Sequence, residues 1–273
     1  MDLLKEAGFR TINTKNALAA RVENFPVDVL FVRDDDIPTF VSNGACDFGV
    51  VGRNVLEEYA LRGENGFEIV APLGFGKCAL KIAGPDNMEY RGPQSLDGAR
   101  IATSYPRLTA KFLEDNGVQA DIVRMSGAVE LAPRLHIADF ICDLVSTGAT
   151  LEQNNLKPLA TVLESEALLV RSKRPLDPSI EHVAESMMAR INGVLATKES
   201  KYIMMNAPES ALDEICRILP GAESPTVLPL AGRTGHVAVH AVCQESVFWE
   251  TLQRLKGAGA SAILVLPIEK MLM

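Results

Sequence analysis

Residues 27–54 read VDVLFVRDDDIPTFVSNGACDFGVVGRN, and their rhythm decides the fold class. A largely apolar run, Val27 to Val32 (VDVLFV), reads as a strand buried on both faces. Asp36 reads as the cap of a helix with Pro38 in its first turn, and Gly44 ends that helix. Phe48 to Val51 reads as the next strand, with Asn54 capping the helix that follows. Strand, helix, strand, helix implies an α/β protein with a parallel sheet covered by helices.

The rest of the chain extends this pattern. Asp2 to Ala7 reads as a helix closed by Gly8. From about Pro85 a second unit runs as strand (100–103), helix (107–116, stopped by Gly117), strand (122–125), helix (128–135) and strand (140–145). Residues 157–171 supply two more strands. Pro178 to Ala196 carries Ile180, Val183, Met187, Ile191 and Val194 at helical spacing. After a break near Lys198 to Ser200 the order becomes strand 201–206, helix 210–219, strands 226–229 and 237–242, helix 245–256 and strand 262–266. That is a βαββαβ, ferredoxin-like module.

Composition narrows the function classes. The chain has 273 residues, 47% hydrophobic and 23% charged, with 20 Gly and 15 Pro. That is the make-up of a globular protein of about two domains. Lys and Arg number 27 against 35 Asp and Glu, for a net charge of −8. Such acidity argues against sequence-independent nucleic-acid binding, which runs on cations neutralising phosphates. No stretch approaches the roughly 20 apolar residues of a membrane span, and the N-terminus does not read as a signal peptide. Cys46, Cys78, Cys142, Cys216 and Cys243 are odd in number and lie in apolar stretches, as buried reduced thiols do. A cytoplasmic protein is expected.

The chemistry concentrates between Glu130 and Leu151. An apolar strand delivers Asp143, and the turn Ser146, Thr147, Gly148, Ala149, Thr150 follows ahead of a helix start. Hydroxyls and consecutive N–H groups around a glycine make a cradle for a phosphate dianion. A carboxylate just upstream suits the hydroxyls of a sugar, so the pair matches a ribose 5-phosphate. An ordinary helix cap after a turn would show the same residues.

This stretch, DLVSTGATL (143–151) preceded by Glu130 and Asp139, resembles the signature of the ATP phosphoribosyltransferases, which open histidine biosynthesis. FVRDDDIP (31–38), RIATSYP (100–106), ESKYIMMNAP (199–208) and AILVLPIEKM (262–271) are similar to further blocks of that family, in the same order. The resemblance covers the chain from about residue 2 onward. It implies transfer of phosphoribosyl from phosphoribosyl pyrophosphate (PRPP) to N1 of ATP, with Mg²⁺ and basic side chains neutralising the departing pyrophosphate. It further implies two α/β lobes of the type II periplasmic-binding-protein kind. Lobe I would comprise 1–84 and 157–199, lobe II 85–156, and a regulatory ferredoxin-like (ACT-like) domain 200–273. Histidine as allosteric inhibitor and a dimer or hexamer are the implied partners.

Carried over by position, Asp143, Ser146, Thr147, Gly148, Ala149 and Thr150 hold PRPP, and Glu130 is the second carboxylate, at the sugar or its metal. Arg33 corresponds to an arginine that reaches the phosphates between lobes, and Asp143 and Arg33 are the catalytic candidates. The bland alternative for Arg33 is an ion pair with Asp34 to Asp36, residues that themselves read as a cap. Gly52, Arg53 and Asn54 resemble the nucleotide-side loop. The pattern departs at His136, where a glycine is expected to end a helix in the left-handed region, and at Ala17, where an arginine is expected, with Lys15 and Arg21 nearby. Family members usually begin with a strand and a KSGRL-like turn, and this chain starts at the following helix. A catalytically impaired member and a solute-binding protein are the alternative readings. His236 and His240 share a strand face without a third metal ligand, and Phe248 and Trp249 read as core.

Overall fold

The computed structural model describes residues 2–12, 18–63, 65–198, 200–219, 225–244, 248–269 and 271. The side chains of residues 2, 198, 244 and 248–250 lie outside that description, and with them the core assignment of Phe248 and Trp249. The chain forms two compact units, Phe31–Leu176 and Met1–Leu30 with Asp177–Met273.

The chain opens with helix α1 (Asp2–Glu6), and Gly8 leaves it with φ +81°. Strands β1 (Ala19–Arg21) and β2 (Asp28–Leu30) then form an antiparallel ribbon with Ala19 opposite Leu30. The expectation of a fully buried strand at 27–32 is therefore corrected. Only 28–30 is strand, and Leu30 and Val32 are exposed. A two-stranded ribbon lacks the layers that bury both faces of a strand.

The unit 31–176 contains two sheets. A three-residue 3₁₀ turn (Asp34–Asp36) leads into α2 (Ile37–Ser42), with Pro38 in the first turn. There follow β3 (Phe48–Gly52), α3 (Arg53–Ala60) and β4 (Phe67–Pro72). β5 (Cys78–Pro85), β6 (Arg100–Thr103), α4 (Pro106–Asp115) and β7 (Asp121–Arg124) come next. The unit ends with β8 (Phe140–Val145), α5 (Ala149–Gln153), β9 (Leu156–Ser165) and β10 (Ala167–Ser172).

The first sheet has the order β3-β10-β4, and both outer strands pair antiparallel with β10. β3 and β4 thus run in the same direction, but the returning strand lies between them. The parallel pairing expected between the strands at 27–32 and 48–51 does not occur among the described residues: β2 pairs antiparallel with β1, in a separate ribbon, and β3 pairs antiparallel with β10. The second sheet has the order β7-β6-β8-β5-β9, parallel across its first three strands and antiparallel at β5. An antiparallel strand inserted next to the third parallel strand is the type II periplasmic-binding-protein arrangement. The chain passes from one sheet to the other at 73–77 and at Glu166.

Burial explains the sequence pattern. In the five-stranded sheet, Ile82, Ile101, Phe140 and Cys142 pack into one cluster. Their neighbours Ala83, Ala102 and Ile141 pack into another with Leu151 and Leu156. Adjacent residues are buried on opposite faces, so these strands read as unbroken apolar runs. The smaller sheet packs Val51, Leu168 and Val170 against Val41, Leu56 and Tyr59 of its helices.

The second unit continues with α6 (Pro178–Lys198), which buries Met187, Ile191 and Val194 while Ile180 stays exposed. The Arg190 guanidinium lies 4.8 Å from the centre of the Phe25 ring and 5.4 Å from that of Phe9, tying the N-terminal segment to this helix. β11 (Ser200–Pro208), α7 (Leu212–Ile218), β12 (Thr226–Pro229), β13 (His236–Gln244), α8 (Phe248–Gly257) and β14 (Ser261–Pro267) follow. Their sheet order, β12-β13-β11-β14 and antiparallel throughout, is the ferredoxin-like one. Alternate residues of β11 and β13 (Ile203, Met205, Val237, Val239) are buried with Ile215 and Leu255 of the helices.

Candidate active site

Asp143 sits near the carboxyl end of β8, beyond the buried residues Phe140, Ile141 and Cys142. Its Oδ1 accepts the Leu144 N–H at 2.8 Å. Burial raises its pKa above the ordinary carboxylate value of 3.8; the Leu144 hydrogen bond opposes this and the Glu130 charge adds to it. Glu130, 13 positions earlier, is thus brought close to Asp143. It lies in a 3₁₀ turn (Val129–Leu131) entered through Ala128 with φ +52°. The helix expected over 128–135 is only this turn and the hydrogen-bonded turns at 132–136.

Ser146 and Thr147 are exposed beyond β8, and Gly148 precedes α5 with φ +84°. Nothing lies within 4 Å of a Cβ built on Gly148, so its backbone angle is what selects glycine. Ala149 and Thr150 form the exposed start of α5, whose first N–H groups lack intrahelical partners.

A second group of residues converges on the same carboxyl end of the sheet. Thr103, at the end of β6, is in register with Cys142, which puts Tyr105 just past the strand end adjoining Asp143. The Tyr105 hydroxyl is pushed up to about 12, first by burial, with the charges of Asp143 and Asp35 adding and a hydrogen bond from Asn54 opposing. Asn54 Nδ2 donates to that hydroxyl at 2.9 Å. Its Oδ1 accepts from Ser165 Oγ at 2.7 Å, and its N–H donates to Ser165 Oγ at 3.1 Å. Glu58, one turn further along α3, accepts the N–H groups of Arg107 (3.0 Å) and Leu108 (2.8 Å) at the start of α4. Arg107 Nη1 lies 3.4 Å from Glu58 Oε1.

The candidates read from sequence fall as follows. Asp143, Glu130 and residues 146–150 lie at the carboxyl ends of the parallel strands of the five-stranded sheet. Gly52, Arg53 and Asn54 lie at the β3–α3 junction. Asn54 is the second residue of α3, not its cap, and its side chain turns to Ser165 and Tyr105. A Cβ on Gly52 would lie 2.4 Å from Asn54 Oδ1, so the glycine makes room for that fold-back. Arg53 lies 3.6 Å from Glu57. With Lys77 and residues 163–166 it lines a cleft of about 460 Å³ beside the two crossovers between the sheets. Arg33 is exposed, and no ion pair with Asp34, Asp35 or Asp36 occurs among the described residues. Asp36 makes no side-chain cap bond. Tyr105, Glu58 and Ser165 were not singled out by sequence. The one signal was the pair Asn54 and Glu58, polar residues four apart on the buried face of α3.

His136 has φ +55°, the left-handed conformation inferred for a position where glycine is expected. Lys15 and Ala17 lie outside the described residues. Cys142 and Cys243 are buried, whereas Cys216 is exposed, correcting its reading as a core thiol. His240 Nδ1 lies 2.6 Å from the Tyr202 hydroxyl.

A family model described as "HisG: ATP phosphoribosyltransferase" matches residues 33–193, and one described as "HisG, C-terminal domain" matches 197–270. The chain belongs to the ATP phosphoribosyltransferase family. A relative named ATP phosphoribosyltransferase, from Maricaulis maris (strain MCS10), is 54% identical over 274 aligned residues, covering 100% of this chain and 93% of its own length. Among solved structures, a chain described as "ATP phosphoribosyl transferase (HisG:HisZ) complex from Thermotoga maritima" aligns with TM-score 0.58 and 26% identity. That alignment covers 70% of this chain and 92% of the other. For an ATP phosphoribosyltransferase, the first family model spans β8, its carboxylate and the loop before α5. The second spans the ferredoxin-like module. No helix among the described residues is long and apolar enough to cross a membrane.

Proposed function

We propose that this chain transfers the 5-phosphoribosyl group of PRPP to N1 of ATP, the first step of histidine biosynthesis. The observation that carries this reading is Asp143 beside Glu130 at the end of β8, followed by the exposed Ser-Thr-Gly-Ala-Thr loop, in a chain of this family. The N1 lone pair forms a bond to C1 of the ribose as the C1–oxygen bond breaks. The electron pair of that bond leaves with pyrophosphate. N1 carries no proton to remove, so positioning and charge neutralisation replace a general base.

In this reading, Asp143 and Glu130 accept hydrogen bonds from the ribose hydroxyls, and Ser146 to Thr150 donate to the 5-phosphate. Arg33 draws on the departing pyrophosphate, and Gly52, Arg53 and Asn54 form the nucleotide side. The two neighbouring carboxylates are hard oxygen donors that suit Mg²⁺. Among the described residues no third acidic, histidine or cysteine side chain completes a metal cluster, so pyrophosphate oxygens and water would supply the remaining ligands. Glu130 is the metal-binding candidate, and the cation, when bound, neutralises charge on the leaving group. Residues 200–273 would serve as the regulatory domain that binds histidine, in a cytoplasmic dimer or hexamer.

The test is pyrophosphate release by the purified chain with ATP, PRPP and Mg²⁺, with the adduct identified by mass. Release that needs both substrates supports the reading. No release above blank from folded protein overturns it.

A further inference from the structure

Tyr105 is held in place from several directions. Its N–H donates to Thr103 Oγ1 at 2.9 Å, and its carbonyl accepts from Thr109 Oγ1 at 2.8 Å. It directly precedes α4, whose N–H groups at Arg107 and Leu108 both end on the Glu58 carboxylate. Glu58 comes from α3, which packs on the three-stranded sheet, whereas α4 packs on the five-stranded one. It is 8% exposed, so its charge is compensated by these donors and not by water. One turn earlier on α3, Asn54 binds the Tyr105 hydroxyl from the same side and Ser165, at the crossover, from the other. Two buried polar residues four apart on one helix therefore bolt the two sheets together at the turn that carries Tyr105.

We propose that Glu58 is a positioning residue. By capping α4 across the two sheets it holds the turn of Tyr105 beside Asp143, and so sets the geometry in which the two substrates meet. This rests on Asp143 being part of the PRPP site. The loop 146–150 follows β8 and touches neither α3 nor α4 among the described hydrogen bonds. A change at Glu58 therefore alters how the lobes are set, not the loop that grips the phosphate.

The experiment uses the full chain, as wild type and Glu58→Gln, with three readouts: kcat by pyrophosphate release, PRPP dissociation constant by calorimetry, and amide exchange at Arg107 and Leu108. The variant is expected to lose about ten- to a hundredfold in kcat, as ångström-scale misplacement does. Its PRPP dissociation constant should stay within about twofold of wild type, the loop geometry being untouched. Both amides should exchange faster. An unchanged kcat overturns the proposal, and so does a PRPP affinity that falls in step with kcat, which would mark general loss of structure. If the wild type itself releases no pyrophosphate, the functional reading fails separately. The clamp is then judged on exchange alone, and equal exchange in the two proteins overturns it. Should Glu58→Gln not fold, Glu58→Asp, which keeps the charge but withdraws it by one methylene, makes the same comparison.

Discussion

The Oε2 atom of Glu58 accepts the backbone N–H of Leu108 at 2.8 Å, joining residues fifty positions apart. The bond fills a role that Tyr105, the residue preceding α4, leaves open, because Tyr105 makes no side-chain cap bond. A helix start buried between two sheets needs its N–H groups satisfied, and a carboxylate also suits the positive end of the helix dipole.

Removing that carboxylate leaves buried donors without partners. Glu58→Ala is expected to lower the unfolding free energy by about 1–3 kcal/mol. Urea denaturation followed by circular dichroism measures this, and a change within error would show that water replaces the carboxylate at no cost.

Asp143 has a raised pKa in the folded chain, so its charged form is penalised by folding. The penalty is absent at pH well below the unfolded value of 3.8 and grows as pH rises through the higher native value. Asp143→Asn should therefore melt higher than wild type at neutral pH, with the difference shrinking on acidification. The same variant should lose PRPP affinity. A lower melting temperature at neutral pH would contradict the sign.

At the loop, Thr147→Ala should weaken PRPP binding more than ATP binding. Gly148→Ala meets no neighbour but must hold φ +84°, a cost of about 1 kcal/mol. Titration calorimetry with each substrate separates the two effects from a general loss of fold. Equal loss of both ligands would move the loop out of the PRPP site.

His136 holds φ +55°, which costs a residue bearing a Cβ. His136→Gly is expected to stabilise the chain by up to about 1 kcal/mol, the gain from relieved strain being offset in part by glycine's entropy in the unfolded chain. A thermal melt that falls would show that the imidazole makes a compensating contact.

Thiol chemistry tests the core assignment. Cys142 is buried, and burial pushes its thiol up to about 12, whereas Cys216 is exposed. Peptide mapping after brief treatment with a maleimide should find Cys216 labelled and Cys142 intact.

Much of the element order was legible because its signals are local. An apolar run marked β8, Gly44 and Gly117 marked helix ends at positive φ, and the Ser-Thr-Gly-Ala-Thr turn stood out at the start of α5. The apolar run at 27–32 misled because a run reports hydrophobicity and not how many layers cover it. Asn54 looked like a cap because caps and buried hydrogen-bonding residues draw on the same small polar side chains.

By itself the sequence determined the α/β class, the ferredoxin-like module, the family, and the carboxylate-and-loop pairing at 143–150. The class, the module and the pairing rest on periodicity, caps or spacing within a few dozen residues, and the family on the resemblance of motif blocks spread from 31 to 271. Only the tertiary structure decided that β10 runs between β3 and β4, that Asn54 reaches Ser165 across 111 positions, and that Glu58 caps α4. Strand partners and buried polar pairs depend on which distant segments close on one another, and local propensity carries no record of that.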